Sequence, residues 1–219
     1  MMIDYAAARH NMVESQIRPN KVTDAALIGA LDELPREAFV PPPLRGIAYV
    51  DEDIAIGNGR YLMEPMILAR LLQAAAVKPG DVALDIGCGT GYSTAVLGKL
   101  CSTVVALESD ADLAAKAVQT LAGLGIDNAA VVEGRLDRGY AEQAPYDVIL
   151  LNGAVPRISP VISDQLAEGG RLVAVVADGP GMGRARLMIN NAGVLSSRVT
   201  FDAATPLLPD FATDPGFAF

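Results

Sequence analysis

The chain reads as an α/β protein, a three-layer, doubly wound sheet of seven mostly parallel strands that ends antiparallel and is preceded by N-terminal helices. Three observations predict this. From Val82 onward, short apolar runs alternate with helical segments. The runs are nearly continuous in hydrophobic residues, as strands covered on both faces must be. The last two are joined by a short polar turn rather than a helix, which makes an antiparallel edge.

Taken in order, Met1 to Ile17 repeats apolar residues loosely at helical spacing, and a second helix is expected from Asp24 to Leu34, capped by Thr23 or Asp24. Pro35, Pro41, Pro42 and Pro43 then punctuate the chain. The segment from Phe39 to Tyr61, with Gly46, Gly57 and Gly59, is expected to be an irregular surface loop system rather than core. Glu64 to Val77 is expected to be a helix with Pro65 in its first turn and Ile67, Leu68, Leu71 and Leu72 on one side. The strands are VALDI (82–86), TVVALE (103–108), AAVVE (129–133), DVILL (147–151) and RLVAVVA (171–177), with helices after Gly91 and from Ala111 to Leu124. RARLMI (184–189), a turn at NNAG (190–193) and VLSSRVTF (194–201) form the terminal hairpin. One domain accounts for all 219 residues, with 1–78 as an N-terminal elaboration and 79–219 as a ligand-binding α/β core.

Composition narrows the function. Seventeen basic against 26 acidic residues give a net charge of −9, which leaves no basic stripe for a nucleic-acid backbone. The two cysteines, Cys88 and Cys101, are too few for a disulfide framework and lack C-x-x-C spacing, so a reducing cytoplasm is expected. No apolar run approaches the roughly 20 residues that a bilayer requires. Asp4 and Arg9 stand where a signal peptide would build its apolar segment, so neither membrane partner nor export is expected.

The decisive stretch is VALDIGCGTGYSTAVLGKL, Val82 to Leu100. Gly87, Gly89 and Gly91 lie between a strand and a helix, where absent side chains allow a sharp turn and let a ligand approach the backbone. The spacing is G-x-G-x-G followed by Tyr92, not the G-x-G-x-x-G of a dinucleotide site. Asp85 precedes the first glycine by two positions, and Glu108 closes the next strand 21 residues after Gly87, where a carboxylate accepts both hydroxyls of a ribose. This arrangement resembles motif I of the class I S-adenosylmethionine-dependent methyltransferases. In that family the strand-end acid supports the loop and the methionine ammonium, and the second acid holds the ribose.

Segments outside that core carry a narrower resemblance. MVESQIRPNKVTD (12–24), LPREAFVPPPLRGIAYVDEDIAIGNG (34–59), the P-G-D at 79–81, QAPYDVILLNGAVP (143–156) and LAEGGRLV (166–173) are similar to the protein-L-isoaspartate O-methyltransferases. The resemblance implies a repair enzyme that esterifies the free carboxyl group of isoaspartyl residues in aged proteins. S-adenosyl-L-methionine would be the donor and S-adenosyl-L-homocysteine the product, with no metal. It also implies that Gly87, Gly89 and Gly91 face the methionine part, Glu108 the ribose, and Arg135 and Leu136 the adenine. Leu62 and Met63 would border the reacting methyl, and Asn152 to Val155 the acceptor. Ile86, Cys88, Tyr92 and Ser109 complete the expected cofactor set. Because a carboxylate is ionised at neutral pH, no general base is needed, and His10, the only histidine, is expected on a helix surface.

Two departures from the family pattern leave the acceptor open. Where the family shows a Q-T-I-S-Q-P-like run, with its serine beside the reacting groups, this chain has Arg60, Tyr61, Leu62, Met63, Glu64 and Pro65. Met63 occupies the serine position, and a thioether donates no hydrogen bond. Where the family places G-D-G, whose aspartate accepts from the adenine amino group, the chain has Gly134, Arg135 and Leu136, with Asp137 nearby as a substitute acceptor. A methyltransferase for another carboxylate or small acceptor, and a noncatalytic S-adenosylmethionine-binding homologue, stand as alternatives. N-P-P-Y and clustered-carboxylate signatures of other acceptors are absent at Asn152 to Pro156.

Overall fold

The computed structural model describes residues 3–177 and 182–211. Helix α1 (Tyr5–Met12) starts where Asp4 accepts a hydrogen bond from the Ala7 amide at 3.0 Å. It continues as a π-turn over Val13–Ile17 and a 3-10 turn over Arg18–Asn20, and ends on Lys21 in the left-handed region. The expected start at Met1 lies outside the described residues. Helix α2 (Ala25–Glu33) is capped by Asp24, which accepts from the Leu27 amide.

The segment from 39 to 61 corrects the expectation of a surface loop. It contains a hairpin, β1 (Ile54–Gly57) and β2 (Arg60–Leu62), turned through Gly57, Asn58 and Gly59, all at positive φ. Phe39, Val40, Ala48, Ile54 and Ile56 are core residues. Alternation over strands of four and three residues is too short to stand out among the prolines and glycines around it. A buried side chain that organises this segment is Arg36, whose Nε donates to Ala48 O at 2.7 Å and Nη2 to Met63 O at 2.8 Å.

Helix α3 (Pro65–Ala75) buries Ile67, Leu68, Leu71 and Leu72 and ends on Ala76 at φ 47°. The main sheet follows: β3 (Val82–Ile86), β4 (Thr103–Glu108), β5 (Ala129–Glu133), β6 (Tyr146–Val155), β7 (Leu166–Val176), β8 (Gly183–Asn191) and β9 (Val194–Ala203). Its order is β5-β4-β3-β6-β7-β8-β9, parallel as far as β7 and antiparallel beyond. Helices α4 (Tyr92–Leu100), α5 (Ala111–Gly123) and the short α6 (Pro160–Ser163) supply crossovers. Strand β6 runs to Val155, four residues past the expected end, with a register shift between Leu150 and Ala154. The terminal turn contracts to Ala192 and Gly193, both at positive φ, while Asn190 and Asn191 pair within the ladder.

Two apolar layers flank the sheet. One packs α2, α3 and α4 against it; the other gathers Leu84, Ile86, Leu136, Tyr146, Ile149 and Ile162 on the opposite face. Arg171 fixes the sheet to the end of α3, donating to Ala75 O, Ala76 O and Asp147 O and pairing with Asp81. The carboxyl ends of β3, β4, β5 and β6 therefore open on one edge, the place where open α/β sheets bind ligands. Among the described residues no helix is long and apolar enough to cross a membrane.

Candidate functional site

At the end of β3 the chain passes through Gly87 (φ 82°), Gly89 (φ 58°) and Gly91 (φ 96°) before entering α4. Such angles are open to glycine and strained for other residues. The loop is pinned to β4, because Gly87 N and Cys88 N both donate to Leu107 O, at 2.8 and 3.2 Å.

The two carboxylates flank this loop and are fully buried. Asp85 Oδ2 accepts from Ser93 Oγ at 2.6 Å and Thr94 Oγ1 at 2.7 Å, and Asn152 Nδ2 in turn donates to Ser93 Oγ at 2.8 Å. Asp85 Oδ1 and Asn152 Oδ1 have no partner among the described residues. Burial pushes the Asp85 carboxyl up to about 6, against the pull of the two hydroxyls. Glu108 is saturated. Its Oε1 accepts from Ser109 N (2.9 Å) and Asp110 N (3.2 Å), and its Oε2 from Gly89 N (2.7 Å) and Arg60 Nη2 (3.1 Å).

Arg60 is the residue the sequence reading missed. It lies on the inward face of β2 with Leu62, while Tyr61 between them points out, and only 4% of Arg60 is exposed. Its Nη2 also donates to Gly87 O at 2.7 Å. A second missed element is the segment after β9. Pro206 O accepts from Ala154 N, Leu208 N donates to Ala154 O, and Leu208 is buried against Gly87 and Gly153. No local pattern marks either one, since their partners lie 27 to 121 residues away along the chain.

The other expected residues divide. Leu62 and Met63 are buried in the core, and Met63 meets Arg36 through its carbonyl. Tyr92 turns its ring beneath the Arg36 guanidinium, 4.8 Å from the centroid, and edge-on to Phe39. Ile86 is core, and Cys88 is buried, which raises its thiol pKa. Ser109 contributes its amide to Glu108. Arg135 is exposed and grips Asp137 with two hydrogen bonds, at 3.0 and 2.9 Å. Asp137 is thus engaged rather than a free acceptor. Leu136 buries its side chain and donates its amide to Asp210 Oδ2 at 2.9 Å. His10 sits on an exposed helix face, 3.6 Å from Asp32.

At the rim, Asp53 Oδ1 accepts from Glu64 N (2.9 Å) and Thr205 Oγ1 (3.1 Å). Glu64 shares a hydrogen bond with Asp51, and its carboxyl is pushed up to about 7 by burial and by Asp51, Asp53 and Glu52.

Residues 7–193 match the family model of the protein-L-isoaspartate(D-aspartate) O-methyltransferases. The chain belongs to that family. Protein-L-isoaspartate O-methyltransferases of Koribacter versatilis and of a Synechococcus strain are 41% identical over 172 residues (78% of each chain) and 42% identical over 176 residues (80% of this chain, 72% of that one). A solved protein-L-isoaspartate O-methyltransferase superposes with a TM-score of 0.79 at 25% identity, covering 91% of this chain and 65% of that one. A Plasmodium falciparum structure described as a protein-L-isoaspartate O-methyltransferase in complex with S-adenosyl-L-homocysteine matches in fold, with a TM-score of 0.78 at 20% identity, covering 95% of this chain and all of that one.

The protein-L-isoaspartate O-methyltransferase family is S-adenosylmethionine-dependent. The donor set here suits that group: a glycine turn open to close approach, carboxylates at two strand ends, and unpartnered acceptors on Asp85 and Asn152. The space does not. A Cβ placed on Gly87 would lie 2.7 Å from Arg60 Nη2 and 2.9 Å from Leu208 Cδ2, and one on Gly89 would lie 2.6 Å from Ile56 Cδ1. The cavity bounded by Arg60, Asn152, Gly153 and Leu208 is about 10 Å³, whereas ligand sites of this class require roughly 300 Å³ or more. In this conformation the cofactor does not fit.

Proposed function

We propose that the chain is an S-adenosylmethionine-dependent carboxyl O-methyltransferase that esterifies isoaspartyl residues of damaged proteins, as a step in their repair. The observation that carries the reading is the positive-φ glycine turn set between Asp85 and Glu108 at the carboxyl edge of the sheet. Membership of the protein-L-isoaspartate O-methyltransferase family supports it.

When bound, the cofactor supplies an electrophilic methyl group on a sulfonium. The chain supplies position. An isoaspartyl carboxylate is already an anion at neutral pH, so no residue has to remove a proton from it. What remains is to hold the acceptor in line and to strip water from it. We assign the acceptor side to Asn152 and Gly153 on β6 and to the rim around Tyr61, and the ribose side to Glu108. The hydroxyls of Ser93 and Thr94 hold the Asp85 carboxylate in place, and Ser93 also orients Asn152, so loop and acceptor side share one hydrogen-bond network. The free, buried cysteines, Cys88 and Cys101, support a reducing compartment, the cytoplasm.

A second reading, another carboxylate or small acceptor, is favoured by Met63 in place of the family's serine, and within it the acidic rim of Asp51, Asp53 and Glu64 favours an uncharged small acceptor. The test is incubation with labelled S-adenosylmethionine and an isoaspartyl peptide. A base-labile methyl ester is expected; label released only with small acids would favour the second reading, and no transfer to any acceptor would refute both.

A further inference from the structure

The ligand-binding edge of this protein is filled by its own residues, and each occupant sits on a group that an adenosyl ligand would need. Glu108 offers two carboxylate oxygens, with about four acceptor sites in all. Three are taken by backbone amides, Ser109 N, Asp110 N and Gly89 N, which are fixed by the fold. The fourth is taken by Arg60 Nη2. A ribose diol therefore reaches Glu108 only where Arg60 now stands. The same Nη2 covers Gly87 O, the outward carbonyl of the glycine turn. Leu208 closes the gap between Gly87 and Gly153, and Asp210 covers the Leu136 amide beyond β5.

The occupant is chemically matched to its place. A guanidinium is charged at every accessible pH, so it neutralises a carboxylate that is otherwise fully buried. A neutral amide at position 60 would supply a donor but no charge. Yet Arg60 is imperfectly held, because its Nε has no partner among the described residues. Its contacts are also those of one nitrogen, not the two-nitrogen fork a guanidinium can make. A displaceable occupant has this character.

We propose that Arg60 and Leu208 form an autoinhibitory plug in the nucleotide cleft, which must withdraw before an adenosyl ligand binds to Glu108 and the glycine turn. The proposal rests on the reading of that cleft as the S-adenosylmethionine site. Arg60 sets the affinity through Glu108, and Leu208 through the space against Gly87 and Gly153. Ligand binding and departure of the plug are one event, so every substitution that weakens the plug raises affinity without adding a contact to the ligand.

The test is calorimetric titration of the full chain with S-adenosyl-L-homocysteine, for wild type, R60Q, L208A and the double variant, with cooperative thermal unfolding as the check on folding. R60Q is expected to bind about fivefold more tightly than wild type, L208A several-fold more tightly, and the double variant most tightly. Free adenine, which lacks the diol, is expected to show a much smaller gain in R60Q than adenosine. If wild type and R60Q bind within twofold of each other, the plug is refuted and the methyltransferase reading stands. If no folded variant binds at all, both fall. Should R60Q fail to fold, L208A decides alone: raised affinity supports the plug and unchanged affinity overturns it.

Discussion

Arg60 Nη2 and Glu108 Oε2 lie 3.1 Å apart with both side chains buried, yet the two partners depend on this contact unequally. Glu108 keeps three backbone donors without Arg60, whereas Arg60 without Glu108 keeps only Gly87 O. Removing one member of a buried pair leaves the other charge uncompensated, at a cost of about 3 to 5 kcal/mol. E108Q is expected near the upper part of that range. R60Q, which leaves a carboxylate still bound by amides, is expected to cost about 1 kcal/mol. Urea denaturation of the two variants measures the difference; equal losses would show that the amides do not carry Glu108.

Glu64 gives stability a slope against pH. Its carboxyl in the folded chain titrates near 7, above its ordinary value of 4.5, because burial and the neighbouring Asp51, Asp53 and Glu52 disfavour the anion. Between those two values the folded chain holds a proton that the unfolded chain has released. Stability therefore falls as pH rises through this window. In E64Q the contribution vanishes. The Tm of E64Q relative to wild type is expected to climb from pH 4.5 to 7 and to level off above it, read by thermal unfolding at a series of pH values. A constant offset would exclude Glu64 as the source.

The parts of the site that were legible in the sequence are those written in local spacing. The glycine turn, Asp85 two residues before it and Glu108 at the end of the next strand follow from a strand-turn-helix unit whose geometry is fixed over about 25 residues. Strands β3 to β7 were legible as nearly continuous apolar runs alternating with helical segments, and β8 and β9 by the short polar turn that joins them. Arg60 was not. It looks like a rim residue, because nothing within β2 says that its neighbour across space is a carboxylate 48 residues on. The closure of the cleft by Leu208 depends on a bridge to Ala154 that no local period encodes. Tyr92 follows the glycines at once and so reads as a ligand contact, but the first turn of α4 aims it inward, at Arg36.

Arg36 is the counterpart of Arg60 in the N-terminal layer, buried without a carboxylate partner among the described residues. It holds Ala48 O and Met63 O from opposite ends of the β1–β2 segment and lies over the Tyr92 ring. Lysine at this position has one nitrogen on a flexible stem and cannot reach two carbonyls in fixed directions while stacking on the ring. R36K is expected to lose about 2 to 4 kcal/mol and to raise proteolytic cleavage between residues 40 and 62, followed by mass spectrometry. Full retention of stability would mean that the apolar contacts of Phe39, Ile54 and Ile56 hold the segment unaided.

Gly87 and Gly89 are both at positive φ, but they answer to different neighbours. A Cβ on Gly87 would come within 2.7 Å of Arg60 Nη2 and 2.9 Å of Leu208 Cδ2, while one on Gly89 meets Ile56 Cδ1 alone. Either alanine bears the backbone strain of its angle, of order 1 to 3 kcal/mol. Only G87A should also feel position 60. In a double-mutant cycle, G87A combined with R60Q is expected to be less destabilising than the sum of the two, by about 0.5 kcal/mol or more, because the shorter glutamine vacates the contact. G89A with R60Q is expected to be additive. Reading both cycles by urea denaturation separates crowding from strain: coupling in the first and none in the second locates the Arg60 side chain against Gly87 in solution, and additivity in both would place it elsewhere.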